Sequence, residues 1–190
     1  KHPTKPIGSF VDEETARQLE EENPGATFKE DSGRGWREFV ASPTPRAILQ
    51  RSAILGLLDS GFIPIACGGG GIPVVEDGSG TRAVAAVIDK DRSAAELAEE
   101  VGAHTLIILT TVPSAKLFWG QPGQRALKDV CATQMRRYLE EGHFAEGSMK
   151  PKVEAALKFV ESGQGRIAII GPLEQAAQAL SGEAGTRITG

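Results

Sequence analysis

The densest chemical signal in this sequence is a run of four consecutive glycines: Gly68, Gly69, Gly70 and Gly71. The apolar residues 62–66 precede the run and predict a buried strand that ends there. Because glycine has no side chain, the backbone amide groups can turn toward an anion at close range, and we predict a phosphate or carboxylate site. The run matches neither the Walker pattern nor the dinucleotide fingerprint, so a tight turn is the alternative.

Charged residues form a second group of candidates. Lys90 and Asp91 follow the predicted strand 83–88 and precede a helix, where a lysine can reach phosphates and a carboxylate can hold its ammonium or bind Mg²⁺. Lys152 falls in the first turn of the helix that Pro151 begins, where the helix dipole disfavours a cation by about 0.3–1 kcal/mol. A bound anion would reconcile position and charge, and simple solvation of these side chains is the alternative.

The elements that must position these residues alternate along the chain. The hydrophobic pattern predicts helices at 46–59, 132–141, 151–162 and 173–180, and strands at 62–66, 83–88, 105–109 and 166–170. Ser93 and Glu96 predict a capping box at the start of a further helix that stops at Gly102. Within 105–109, residues 106–109 are apolar at consecutive positions, so we expect burial on both faces. The alternation implies an α/β fold with a mostly parallel sheet and ligands at the carboxyl ends of its strands.

The first part of the chain predicts a small appendage, residues 1–42, ahead of a larger α/β domain at residues 43–190. The pattern in the appendage predicts a helix at 13–22 capped by Asp12, followed by a hairpin of strands at 26–30 and 36–40. So few residues bury little apolar surface, and we expect the appendage to lean on or protrude from the larger domain.

Composition excludes several classes of function. The 190 residues are 40% hydrophobic and carry a net charge of -4, which argues against nonspecific binding to nucleic acid or anionic membranes. Cys67, Cys131 and the three histidines show no metal-ligand spacing, so we predict no protein metal ligands and a reducing, cytoplasmic compartment. Cys67 is expected to be a buried thiol. Because the chain begins with Lys1 rather than Met, we expect it to be processed or cut from something longer.

Five motifs follow one another along the chain: residues 5–8 (KPIG), 31–36 (DSGRGW), 66–73 (ACGGGGIP), 87–91 (VIDKD) and 142–152 (GHFAEGSMKPK). Together they closely resemble the carbamate kinases, which are members of the amino-acid kinase family. The resemblance implies a three-layer α-β-α fold with a mostly parallel sheet, here incomplete, plus the helix and hairpin appendage. It also implies phosphoryl transfer between ATP and carbamate with Mg²⁺, usually to make ATP from ADP and carbamoyl phosphate in arginine degradation. The resemblance further implies a homodimer for the full-length protein.

The resemblance assigns roles to the charged residues. Lys90 and Lys152 resemble the family's two lysines that neutralise charge on the transferring phosphoryl group, with Asp91 organising them. Lys5 resembles a third lysine, which folds over the site from the appendage, and the glycine run would face the phosphoryl acceptor. Phosphoryl transfer needs positioning and positive charge more than a base, so a lysine cluster without a histidine is chemically sensible.

The resemblance also places the nucleotide pocket at four positions: Thr110, Trp119, Ser148 and Met149. From the residues alone, Trp119 could equally stack on a base or cover core surface. Two departures from the family concern this pocket and the appendage: residues 110–118 differ from the usual loop, and Ser9 stands where the family usually has proline.

A larger departure is the family's opening strand with its Gly-Gly-Asn-Ala loop, which binds the carbamate side and has no counterpart in these 190 residues. We therefore expect the chain to correspond to the C-terminal, nucleotide-side portion of a carbamate kinase and to be inactive alone. Two alternatives are a noncatalytic nucleotide- or anion-binding fragment and an enzyme of the same family with another acceptor.

Overall fold

A computed structural model describes residues 3–190, and its internal contacts divide the chain into two compact units. One unit comprises Lys1–Thr44 and Gly71–Asp89, and the other comprises Pro45–Gly70 and Lys90–Gly190. Lys1 and His2, the first residues of the predicted appendage, lie outside the described residues.

The grouping differs from the predicted division into residues 1–42 and 43–190 because residues 71–89 join the first unit. Ala86 forms a parallel bridge with Ala41, and the Val87 amide donates a hydrogen bond of 3.0 Å to the Ala41 carbonyl. The predicted division stays a prediction about separate domains.

The first unit confirms the predicted helix and hairpin and adds a strand. Its elements are β1 (Lys5–Val11), α1 (Glu13–Glu22), β2 (Phe28–Glu30) and β3 (Trp36–Val40), and the antiparallel sheet has the order β1-β3-β2. The Asp12 carboxylate caps α1 by accepting a hydrogen bond of 2.7 Å from the Thr15 amide, and this bond lowers the pKa of Asp12. The pattern did not predict β1 because it contains Pro6 and Gly8, which suit an edge strand with an irregular register.

A second hairpin in the first unit replaces the predicted strand 83–88, which is wrong. The strands β4 (Val74–Asp77) and β5 (Gly80–Ala83) pair antiparallel, so the chain turns between Asp77 and Gly80. The turn signal was present in the sequence as Asp77 followed by Gly78, a pair typical of short hairpin loops.

The second unit is built around a four-stranded sheet. Its elements in chain order are α2 (Arg51–Asp59), α3 (Lys90–Glu100), β6 (Thr105–Thr110), β7 (Lys116–Leu117), β8 (Arg125–Ala126), β9 (Asp129–Cys131), α4 (Ala132–Glu140), α5 (Met149–Glu161), β10 (Ile167–Pro172), a 3-10 turn (Leu173–Gln175), α6 (Ala176–Ser181) and β11 (Thr186–Thr189). The sheet order is β6-β10-β11-β9, with β6 parallel to β10 and β9 parallel to β11. The mostly parallel sheet is therefore confirmed, and β10 and β11 form its one antiparallel pair among the described strands.

Helices lie on both faces of this sheet, as the α/β prediction required. The helices α3, α4 and α5 share one buried apolar cluster with alternate strand residues: Leu106, Ile108, Ala168, Ile170 and Ile188. On the other face, α6 packs against β10, where Ala179 meets Gly171 closely enough that no side chain fits. The expectation that β6 is buried on both faces is wrong, because β6 is an edge strand and Leu109 is exposed.

Two further predictions fail at the start of the second unit. Helix α2 begins at Arg51, since the side chain of Glu100 accepts a hydrogen bond from the Ile48 amide and ties down the preceding residues. The predicted strand 62–66 pairs with no strand of the described chain, and Ile63 and Ile65 are 93% and 99% exposed. Apolar side chains patterned for burial therefore lie in solvent. Across residues 3–190, every helix is too short or too polar to cross a bilayer.

Gly185, at φ 84°, offers a test of how tightly β11 is fixed to the sheet. A Cβ added there would lie 2.8 Å from the Ile170 carbonyl oxygen, whereas one added at Gly182 (φ 82°) would meet nothing within 4 Å. We expect Gly182→Ala to destabilise the fold by about 1 kcal/mol through backbone strain, and Gly185→Ala by about 3 kcal/mol because the clash adds to that strain. Urea unfolding of both variants measures the difference, and equal losses would contradict the close approach at Gly185.

Candidate functional site

The topology brings most of the predicted site residues to one edge of the sheet. Short connections join α3 to β6 and α5 to β10, so each helix is antiparallel to the strand that follows it in the chain. Because β6 and β10 are parallel, with Thr110 opposite Pro172 at their ends, both helices begin at the carboxyl edge of the two strands. Lys90, Asp91 and Lys152 stand in the first turns of these helices and hence lie at that edge.

A single carboxylate organises the two predicted lysines. Lys152 Nζ lies 2.8 Å from Asp91 Oδ2, and both residues are buried, with 9% and 6% of their surface exposed. Lys90 Nζ lies 3.7 Å from the same oxygen, but its side chain is 62% exposed. The buried ammonium is thus fixed in place, while that of Lys90 lies toward solvent. Two positive charges and one negative charge leave a net positive group suited to a polyanion.

Further paired charges brace α3 against α5 beyond this group, toward the carboxyl ends of both helices. Arg92 Nη2 lies 3.0 Å from Glu154 Oε2, and Lys158 donates a hydrogen bond to Glu96. Sequence reasoning missed these pairs. The available signal was a nearly constant spacing, since the partners stand 61 or 62 residues apart in the three hydrogen-bonded pairs between the helices. A matched series of opposite charges on two helices indicates that they lie side by side.

The glycine run folds as a tight turn at the first turn of α3. The Gly70 amide donates to the Cys67 carbonyl over 2.8 Å, and Gly68 and Gly70 have φ of 48° and 139°. Ser93 Oγ donates to the Gly70 carbonyl over 2.7 Å and holds the turn against the helix. The predicted capping box is therefore wrong, because α3 begins at Lys90 and Ser93 binds the glycine turn instead. Whether residues 68–71 bind an anion stays a prediction.

The predicted nucleotide residues occupy three elements of the second unit. Thr110 ends β6, and Ser148 and Met149 stand where α5 begins, with the exposed Ser148 making no capping hydrogen bond. Trp119 lies on the hairpin of β7 and β8, exposed to solvent, with the ammonium of Lys116 5.1 Å from its ring centroid. The first three residues share the carboxyl edge with the lysine cluster. Their role in nucleotide binding stays a prediction.

Lys5 belongs to the first unit, where it has a carboxylate partner of its own. Its Nζ lies 2.7 Å from Oδ2 of Asp89, a residue that is buried within the same unit. Asp89 is joined by a peptide bond to Lys90, so the two ion-paired groups are adjacent along the chain. Asp89 is a candidate that the sequence prediction did not include among the site residues.

The second unit is thus a three-layer α/β domain with a cationic candidate site at the carboxyl edge of two parallel strands, where such folds bind ligands. The chain belongs to the amino acid kinase family, whose sequence model matches residues 15–171. The predicted resemblance and the predicted fold class are both confirmed.

Known carbamate kinases are similar to this chain over almost its whole length. It is 54% identical to the carbamate kinase of Clostridium perfringens over 188 residues, or 99% of this chain and 60% of that protein. It is 48% identical to the carbamate kinase of Pyrococcus horikoshii over 189 residues, with the same 60% coverage of the relative. The carbamate kinase from Giardia lamblia bound to AMP-PNP superposes with a TM-score of 0.91 at 41% identity, over 98% of this chain and 59% of that one. The chain therefore spans about 60% of the length of the curated relatives it matches.

The buried ion pair predicts a large loss of stability when its negative partner is neutralised. Asp91→Asn would leave the buried ammonium of Lys152 without a charge partner, and we expect it to lower the free energy of unfolding by about 3 kcal/mol. Arg17→Gln is the control, because it breaks the solvent-exposed pair between Arg17 and Glu13 and should change stability little. Chemical denaturation of both variants makes the comparison. A loss as small for Asp91→Asn as for the control would contradict the buried pair.

Cys67 predicts a pH-dependent reactivity. Burial, together with the negative charge of Glu100, raises the pKa of the Cys67 thiol above its ordinary value of 9.0. A raised pKa lowers the thiolate fraction below pH 9, so alkylation by iodoacetamide should be slow at pH 8 and accelerate only in more alkaline solution. The measurement uses a Cys131→Ser chain, since Cys131 is exposed.

Two glutamate variants control this titration. Glu100→Gln should shift the alkylation profile of Cys67 to lower pH, because it removes the repelling charge. Glu99→Gln should leave the profile unchanged, since Glu99 pairs with Lys158. The expected full burial of Cys67 is wrong, because the residue is only half-buried. A profile centred at or below the ordinary thiol value would contradict even this partial burial.

Proposed function

We propose that this chain supplies the nucleotide side of a carbamate kinase, which transfers a phosphoryl group between ATP and carbamate. The observation that carries the proposal is the Asp91 carboxylate holding Lys90 and Lys152 where α3 and α5 begin, in a chain 54% identical to a carbamate kinase. The AMP-PNP bound to the similar carbamate kinase from Giardia lamblia supports ATP or ADP as the nucleotide.

In the ATP-forming direction, a terminal phosphate oxygen of ADP attacks the phosphorus of carbamoyl phosphate. The phosphorus–oxygen bond to the carbamoyl group breaks, and carbamate leaves with the electron pair. Charge spreads over the phosphoryl oxygens as the group transfers, so the chain must supply positioned positive charge rather than a base.

The lysines divide this task according to their surroundings. Lys152 is buried and held by Asp91, so its charge is fixed in direction and weakly screened. Lys90 is exposed and only loosely paired with Asp91, so its ammonium can follow the transferring phosphoryl group. We assign Lys5 as a third cation, restrained by Asp89. The amino ends of α3 and α5 add partial positive charge for the same anion.

Mg²⁺ fits this site as an ion carried by the nucleotide. Among residues 3–190 there is no group of three or more His, Cys, Asp or Glu residues that could hold a metal. Asp89 and Asp91 already accept from lysine ammonium groups. Mg²⁺ commonly binds to substrate phosphates with few protein ligands, and when bound it would neutralise part of the phosphate charge.

The remaining assignments follow the family. Thr110, Trp119, Ser148 and Met149 would contact the nucleotide, and the turn at residues 68–71 would face the phosphoryl acceptor through its backbone amides. We also propose that the activity serves arginine degradation in the cytoplasm and that the full-length enzyme is a homodimer.

We further propose that this chain does not turn over alone. It covers about 60% of its curated relatives, and the exposed apolar residues 62–66 are patterned for a partner strand that the described residues do not supply. The additional length of the relatives would complete the acceptor side. The same coverage favours a second candidate function, that of a noncatalytic nucleotide- or anion-binding module.

ATP formation from ADP, Mg²⁺ and carbamoyl phosphate tests the proposal in this chain and in a longer form that carries the additional segment of the relatives. We expect activity only in the longer form. Within it, Lys152→Ala should lower kcat/KM by about 10²–10³-fold, because a charged contact to the transferring group is lost. Lys158→Gln is the matched control on the same helix, since glutamine can still donate a hydrogen bond to Glu96 and should leave turnover unchanged.

Three outcomes would count against these assignments. Wild-type turnover by Lys152→Ala would remove that lysine from the mechanism. Activity of the 190-residue chain alone would overturn the need for the additional segment. Nucleotide binding by both forms without turnover in either would favour the noncatalytic module.

A further inference from the structure

The hairpin that carries Trp119 is held to the sheet through its neck, the pair Ala115 and Leu127. These two residues are opposite each other, one step before the paired Lys116 and Ala126. Ala115 and Leu127 are buried, and Leu117 on the same strand is buried too, while Trp119 beyond them is exposed. The base of the hairpin is therefore anchored in the core, and its direction decides where the indole ring lies.

Only one of the two backbone hydrogen bonds expected between Ala115 and Leu127 is present. The Leu127 amide donates to the Ala115 carbonyl over 2.9 Å, as in a hydrogen-bonded antiparallel pair. The reciprocal bond is replaced by a side chain: the Ala115 amide donates to Thr186 Oγ1 over 2.9 Å, and Thr186 Oγ1 donates to the Leu127 carbonyl over 2.6 Å. A hydroxyl thus lies between the two strands and uses both its donor and an acceptor site there.

Thr186 is well placed to fix the orientation of the hairpin relative to the sheet. It is fully buried, and it opens β11 opposite Ile170 near the carboxyl end of β10. That end is also where Thr110 and the amino end of α5 lie. The preceding Gly185 packs directly on the Ile170 carbonyl, which leaves the backbone at Thr186 little freedom.

We propose that Thr186 is a positioning residue for the nucleotide: its hydroxyl sets the direction of residues 115–127 and so holds Trp119 where the bound nucleotide meets it. The contact between Trp119 and a nucleotide rests on the proposed function. The direction of the hairpin rests on the hydrogen bonds alone. Loss of the hydroxyl leaves a buried amide and a buried carbonyl without their partner, so the neck must rearrange.

Thr186→Val and Thr186→Ser test the proposal, because valine keeps the shape of threonine and serine keeps the hydroxyl. Both are made in the 190-residue chain with Trp36→Phe, which leaves Trp119 as the remaining tryptophan of the two. Hydrogen exchange of the Ala115 amide reports the neck, Trp119 emission reports the hairpin, and titration with MgADP gives Kd. We expect Thr186→Val to speed hydrogen exchange at the Ala115 amide and to shift the emission of Trp119. We also expect it to raise the Kd for MgADP by about tenfold. We expect Thr186→Ser to stay within about twofold of the unchanged chain.

Ile188→Val separates positioning from general stability. Ile188 is buried on the same strand, so this variant should lower Tm without changing MgADP affinity. An equal loss of MgADP affinity in Ile188→Val, or a similar loss in Thr186→Ser, would overturn the proposal.

Should Thr186→Val not fold, fast exchange of the Ala115 amide in the unchanged chain would still overturn it. Absence of MgADP binding by the unchanged chain would overturn the proposed function, whereas lost protection at Ala115 with unaltered affinity would overturn the positioning role alone.

Discussion

The ion pair between Asp91 and Lys152 is the interaction on which the candidate site depends. Burying either charge alone is costly, so each side chain can occupy its position only while the other is present. The pair forms only if α3 and α5 lie side by side with their first turns level. That arrangement in turn requires β6 and β10 to be parallel neighbours, as the sheet order has them. The flanking pairs of Arg92 with Glu154 and Lys158 with Glu96 favour the same register.

The helix dipoles act on the two members of this pair in opposite ways. Asp91 is in the first turn of α3, where a negative charge is stabilised, and Lys152 is in the first turn of α5, where a positive charge is not. The Asp91 carboxylate offsets the unfavourable position of Lys152. An anion bound at the same edge would meet both dipoles and both lysines, so its binding relieves a repulsion that the fold already contains.

The parts of the fold that the sequence predicted are those in which local pattern and final environment agree. The strands at 105–110 and 167–172 and the helix at 132–140 carry apolar residues on their buried side. The short strands β9 and β11 were missed because their pairing depends on distant partners rather than on local pattern. Lys90, Asp91 and Lys152 could be singled out by charge and position. The Ser93 contact could not, because its partner at Gly70 is 23 residues away and is a backbone carbonyl.

The exposed segment 62–66 differs from these missed elements and contacts. Its apolar pattern clearly predicts a buried strand, but its side chains lie in solvent. Ile63 and Ile65 expose apolar surface to solvent. Burying that surface would stabilise the protein by roughly 25 cal/mol for each Å². An unpaired segment with such side chains is an open template for another strand. Strand addition would satisfy both its backbone groups and its side chains. The chain also covers about 60% of the curated relatives, so pattern and length together support the proposal that the acceptor side is completed outside these 190 residues.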